Sequence, residues 1–117
     1  MSARVTEERP WGHFVVLDEQ PNAKVKVITI RPGGRLSYQS HERRSEHWVV
    51  VQGTAEVLLD GESRTVRAGE SIDVPTRSRH RCANDGEVDL VFVEVQLGEY
   101  FGEDDIVRYE DDYGRVG

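Results

Sequence analysis

GGRLSYQSHERRSEHWVVVQG, residues 33–53, gathers three side chains that can each give a lone pair to a metal ion: Gln39, His41 and Glu46. In a β-strand, residues i and i+2 leave the same face, so Gln39 and His41 point the same way. Glu46 follows five residues later, where a partner strand can return its carboxylate to that face. The Arg-rich bend 42–45 lies between them. Residues 48–51, WVVV, are aromatic and β-branched, the make-up of a buried strand leading to Gly53.

Residues 69–84, GESIDVPTRSRHRCAN, carry a further candidate ligand, His80, after a proline that ends a strand. Written as spacing, the two stretches are G-x5-Q-x-H-x4-E-x6-G and G-x5-P-x4-H-x3-N, separated by residues 54–68. They resemble the two signature motifs of the cupin superfamily. The first motif usually has His where this chain has Gln39, and the second usually has Gly where it has Arg77. The resemblance implies an all-β fold, a single antiparallel double-stranded β-helix (jelly-roll barrel). It also implies one divalent metal ion held by Gln39, His41, Glu46 and His80. Mixed nitrogen and oxygen donors suit Zn, Mn, Fe, Co or Ni without choosing among them. His47 leaves the opposite face from Glu46, and His13 has no partner motif, so both read as packing or surface residues.

The 117 residues suit one domain, and 32% charged with 37% hydrophobic residues suits a soluble globular chain. The net charge is −7, with Lys and Arg scattered, which excludes a nucleic-acid partner because phosphate neutralisation needs a basic patch. No apolar run approaches the roughly 20 residues of a membrane helix, and the N-terminus lacks a signal-peptide apolar core. Cys82 is the single cysteine, in keeping with a reducing, cytoplasmic setting, and reads as a small packing residue.

Along the chain, residues 1–10 read as a flexible or loosely docked arm. Short strands follow at 11–17, 24–31, 36–41 and 48–52. Residues 55–59 and 63–67 flank Asp60-Gly61, a tight hairpin turn. Further strands fall at 71–74, 80–83 and 89–97, the spacing of an antiparallel sandwich or barrel. The acidic tail 98–117 carries Tyr100, Phe101, Tyr109 and Tyr113, so it is expected to pack on the barrel, with one helical turn near 103–107.

With its ends included, the chain is similar to the type II mannose-6-phosphate isomerase domain, often the C-terminal part of mannose-1-phosphate guanylyltransferase/isomerase proteins. The residues that carry this are RPWGHFVVLDE, VKVITIRPGGRLSYQSH, RRSEHWVVVQGTAEV, EVQLGEY and EDDIVRYEDDYGR. The chain reads as that domain standing alone. Glu42 and Arg43 replace a His-rich bend, a departure at the pocket rim. The resemblance implies interconversion of mannose 6-phosphate and fructose 6-phosphate, with a small phosphosugar as partner and a homodimer as assembly.

The supporting residues have two readings each. Arg44 holds a phosphate or sugar hydroxyl, or is a solvated turn residue or an ion pair with Glu42; Arg43 and Arg77 are further rim cations. Glu94 and Gln96 share a strand face. If it lines the barrel, Glu94 is a proton carrier, paired with Lys26, and Gln96 meets substrate; otherwise both are surface polars. Arg108 approaches the mouth, or pairs with Asp104 or Asp105. Two rival functions stay open: a metal-dependent cupin dioxygenase, and a non-catalytic sugar- or metabolite-binding cupin.

Overall fold

Alternation along the chain makes strands throughout. A computed structural model describes residues 4–115, and among them there are eleven strands and no helix. They are β1 Thr6–Arg9, β2 Gly12–Gln20, β3 Ala23–Ile30, β4 Tyr38–Ser40, β5 Arg44–Gln52 and β6 Thr54–Leu59. The rest are β7 Glu62–Arg67, β8 Ser71–Val74, β9 His80–Ala83, β10 Leu90–Gly98 and β11 Val107–Glu110. One sheet runs β1-β2-β3-β10-β5-β8 and the other β11-β4-β9-β6-β7, and every pairing is antiparallel. The two sheets close over one core, the barrel that the strand spacing predicts.

The turn between β6 and β7 follows from its residues. Asp60 and Gly61 take φ of 48° and 83°, the pair of left-handed conformations that a primed two-residue hairpin needs. Two expectations are corrected at the ends of the chain. Residues 6–9, expected within a flexible or loosely docked arm, pair with β2 as an edge strand, from Thr6 opposite Val15 to Arg9 opposite Gly12; residues 1–3 lie outside the described residues. Residues 103–105 form a turn, not a helical one continuing to 107, and the chain then enters β11 along β4.

The inner face of the larger sheet has two halves, set by register. On β3, β10 and β5 the buried rows are Lys26, Ile28, Ile30; Leu90, Phe92, Glu94, Gln96; and Arg44, Glu46, Trp48, Val50. Phe92 pairs with Ile28 and Val50, whereas Glu94 pairs with Lys26 and Trp48, and Gln96 with Glu46. One end of the barrel is therefore apolar, with the Trp48 and Phe92 rings 5.0 Å apart. Burying each large apolar side chain there contributes roughly 1.5–3 kcal/mol. The other end is polar, and burial of that many charged groups is stable only if they satisfy one another or a ligand.

Candidate metal centre and cavity

β5 begins at Arg44, so Arg44, Glu46 and Trp48 share its inner face by the two-residue period. Against them stand His41, just past β4, and His80, which opens β9. The ligand atoms of His41, Glu46 and His80 lie within 4.8 Å of one another, and all three residues are buried. His41 Nε2 is 3.3 Å from Glu46 Oε2, and His80 Nε2 is 4.0 Å from Glu46 Oε1.

Each imidazole is oriented from behind. His41 Nδ1 lies 2.6 Å from the Asp105 carbonyl oxygen, and His80 Nδ1 lies 3.1 Å from that of Ser78. A carbonyl only accepts, so each Nδ1 carries a proton, and in the neutral imidazole that leaves Nε2 as the lone-pair donor. The fit to a metal ion rests on this donor set and on His80 Nε2, which is buried with no hydrogen-bond partner among the described residues. Two imidazoles and a carboxylate suit a first-row divalent ion. Gln39 sits directly across from His80 in the β4–β9 ladder and lines the cavity, on the same face as the histidine.

Arg44 is buried and touches two of these groups. Its Nε donates to Glu46 Oε2 at 2.9 Å, and its Nη2 donates toward His41 Nε2 at 3.2 Å. Trp48 Nε1 donates to Glu46 Oε1 at 2.9 Å. Burial alone would raise the Glu46 carboxyl, but His80, Arg44 and His41 outweigh it and hold the carboxyl down, to about 2. Burial lowers His41 to about 4, against the pull of Glu46. Both groups are therefore in their metal-ready forms at neutral pH.

Beside the cluster opens a cavity. Five basic side chains, Arg9, Lys26, Arg44, Arg108 and Arg115, line it against two carboxyl groups, Glu94 and Glu103. Burial and the nearby Glu46 charge push Glu94 up, to about 8, despite Lys26 and Arg44, so Glu94 keeps its proton at neutral pH. Gln96 Nε2 donates to Glu94 Oε1 at 2.5 Å.

Several expected placements change. Glu94 faces inward, and Gln96 is wholly buried outside the cavity lining, where its amide holds Glu94. Lys26 stands opposite Glu94 in register, yet its ion pair, at 3.0 Å, is with Glu103. Arg44 does not pair with Glu42, which takes Arg77 at 3.1 Å. Arg43 pairs with Glu99 and covers the Tyr100 ring, so neither Arg43 nor Arg77 lines the cavity. Arg108 does line it, and neither Asp104 nor Asp105 engages its side chain: Asp104 accepts from Tyr100, and Asp105 accepts from the backbone N–H groups of Glu42 and Arg43. Sequence reasoning missed Asp105, Glu103, Arg9 and Arg115, whose roles depend on long-range docking of the two chain ends. The Trp48 contact was readable, since Trp48 follows Glu46 by two on one strand.

The family described as "Mannose-6-phosphate isomerase C-terminal" matches residues 2–111. The alginate biosynthesis protein AlgA of Pseudomonas aeruginosa is 49% identical over 108 residues, covering 92% of this chain and 22% of that protein. A mannose-1-phosphate guanylyltransferase of Escherichia coli is 46% identical over 108 residues, covering 92% of this chain and 23% of its own. The chain thus spans between a fifth and a quarter of these relatives. Among solved structures, the capsular polysaccharide assembling protein CapF of Staphylococcus aureus superposes with a TM-score of 0.81 at 22% identity, over 95% of this chain and 34% of CapF. An RmlC-like cupin of Shewanella frigidimarina gives 0.75 at 22% identity, over 86% of this chain and 87% of its own. These likenesses establish the cupin fold, and the match along nearly the whole sequence establishes more: the chain belongs to the family of mannose-6-phosphate isomerase C-terminal domains.

Proposed function

We propose that this chain is a divalent-metal-dependent isomerase interconverting mannose 6-phosphate and fructose 6-phosphate. The observation that carries the reading is the buried His41–Glu46–His80 cluster, with both Nε2 atoms turned to one carboxylate beside a cation-lined cavity. Family membership supports a hexose 6-phosphate as the substrate.

The reaction moves a proton between C2 and C1 of the open-chain sugar through an enediol. His41 and His80 would hold the ion by Nε2 and Glu46 by its carboxylate, with Gln39 as the remaining candidate ligand. A divalent ion bound there polarises the substrate carbonyl and stabilises the developing oxyanion. Glu94 is the group suited to carry the proton. Its Oε1 is engaged by Gln96, and a carboxyl titrating near the working pH both takes and returns a proton efficiently. Arg44 and Lys26 supply positive charge in the cavity wall, where an anionic intermediate would form.

The Arg44 contacts favour a second reading. A guanidinium already satisfying His41 Nε2 and Glu46 Oε2 suits a sugar-binding cupin without turnover. A coupled assay of purified chain with mannose 6-phosphate and added Mn, Co, Zn or Fe separates the two. The isomerase reading expects turnover with at least one ion; sugar-phosphate binding without turnover under every ion establishes the other.

A further inference from the structure

Away from the histidines, the cavity wall is built from both ends of the chain. Arg9 closes β1, Arg108 lies in β11, and Arg115 follows it, yet all three guanidinium groups line one space. Their protein partners leave donors over. Arg115 sets Nε and Nη2 on the Asp111 carboxylate at 2.9 and 3.0 Å, which leaves Nη1. Arg9 lies 3.6 Å from the exposed Glu7 carboxylate, gives Nη1 to the Glu8 carbonyl, and covers the Phe14 ring. Arg108 Nε is buried with no hydrogen-bond partner among the described residues.

That combination is unfavourable in the protein alone. An unpartnered buried donor costs its full desolvation penalty. Burial lowers the Arg108 guanidinium, and Arg115 and Arg9 push it the same way, offset only in part by Asp111 and Glu103. An anion with several oxygens relieves both costs at once, since it accepts from forked guanidinium groups and neutralises their repulsion.

We propose that Arg9, Arg108 and Arg115 form a subsite for the phosphate group of a phosphate monoester, separate from the metal centre. Arg108 stands across from Gln39 in the β11–β4 ladder, and Gln39 across from His80 in β4–β9. Two strand spacings, roughly 10 Å, therefore separate the arginine's backbone from that of His80. A ligand anchored by phosphate at Arg108 can extend its other end past Gln39 toward the histidines. The identity of that ligand as a hexose 6-phosphate rests on the isomerase reading; capture of the phosphate does not. With the protein at −7 overall, long-range attraction cannot gather an anion, so this local cluster must do it.

Calorimetric titration of the metal-loaded full chain with inorganic phosphate tests the subsite, using wild type, Arg108→Gln and Arg9→Gln, with ion content and melting curves recorded for each. The wild type is expected to bind phosphate with an affinity that falls as salt is raised. Arg108→Gln should lose at least tenfold with its ion content unchanged. Arg9→Gln, on an exposed edge strand, answers the same question should Arg108→Gln fail to fold, and should lose several-fold. Equal phosphate affinity in wild type and the folded variants, or no phosphate binding by the wild type, overturns the subsite. Loss of phosphate affinity without isomerisation in any protein keeps the subsite and removes the isomerase reading. Isomerisation by all, with KM for mannose 6-phosphate unchanged, removes the subsite and keeps that reading.

Discussion

Arg44 donates to Glu46 across 2.9 Å, and both side chains are buried. A buried pair of this kind is weak evidence for net stability, but removing one partner strands the other charge, at a cost of roughly 3–5 kcal/mol. Glu46→Gln should therefore lower the urea midpoint severely, against a total stability on the order of 5–15 kcal/mol. Adding Arg44→Met should recover much of the loss. Equal stability of Glu46→Gln and wild type would contradict the ion pair.

Glu94 makes stability depend on pH. In the folded protein it titrates at about 8, against 4.5 for an ordinary glutamate, because burial and Glu46 raise it. Between those values the folded state holds a proton that the unfolded chain has released, so stability falls as pH rises through that window. Glu94→Gln has no proton to lose. In urea denaturation of chelator-treated protein, the variant should gain on wild type steadily from about pH 5 to about pH 8. A constant difference over that range would show that Glu94 is ionised in the folded state.

Arg77 has φ of 69°, in the left-handed region, and its backbone N–H donates to the His41 carbonyl at 2.8 Å. That conformation explains why cupins usually carry Gly there. Arg77→Gly and Arg77→Ala both lose the exposed contact to Glu42, so comparing them isolates the backbone. The glycine variant should be the more stable by about 1 kcal/mol, the reverse of the usual order of these residues. An alanine variant melting at or above the glycine variant would refute the strained conformation.

Asp105 joins the tail to the site. Its carboxylate accepts from the Glu42 and Arg43 N–H groups, each at 3.0 Å, while its carbonyl meets His41. Asp105→Ala should cost about 1–3 kcal/mol and weaken ion retention, because it frees the bend that carries His41. Deleting residues 99–117 removes this contact, the buried Phe101 and the Lys26–Glu103 pair together, and should lower Tm by more than Asp105→Ala does. Unchanged melting after the deletion would make the tail a loose appendage.

Much of this was legible in the sequence because strands have a two-residue period. The spacing of Gln39, His41, Glu46 and His80 and the Asp60-Gly61 hairpin needed only local reading. The inward face of β10 was undecided until register was known: Glu94 and Gln96 face in because Phe92 and Leu90 do, and two apolar neighbours on the other face, Val93 and Val95, give the same local pattern. Arg44 lies in a stretch whose local pattern is that of a bend, and its two-residue distance from Glu46 marks it as buried only once β5 begins there. Arg9 and Arg115 could not be found locally, since their meeting depends on how β1 and β11 dock.

On the proposed reading, isomerisation depends on an ion held by His41, Glu46 and His80. The measurement that tests it most directly is the rate of mannose 6-phosphate isomerisation by chelator-stripped chain as a single divalent ion is titrated back, with bound ion counted at each point. Activity is expected to disappear on stripping, return in proportion to bound ion, and level off at one ion per chain, with His80→Ala neither retaining the ion nor recovering. Turnover that survives stripping, or a stripped chain that takes up no ion, would contradict that reading.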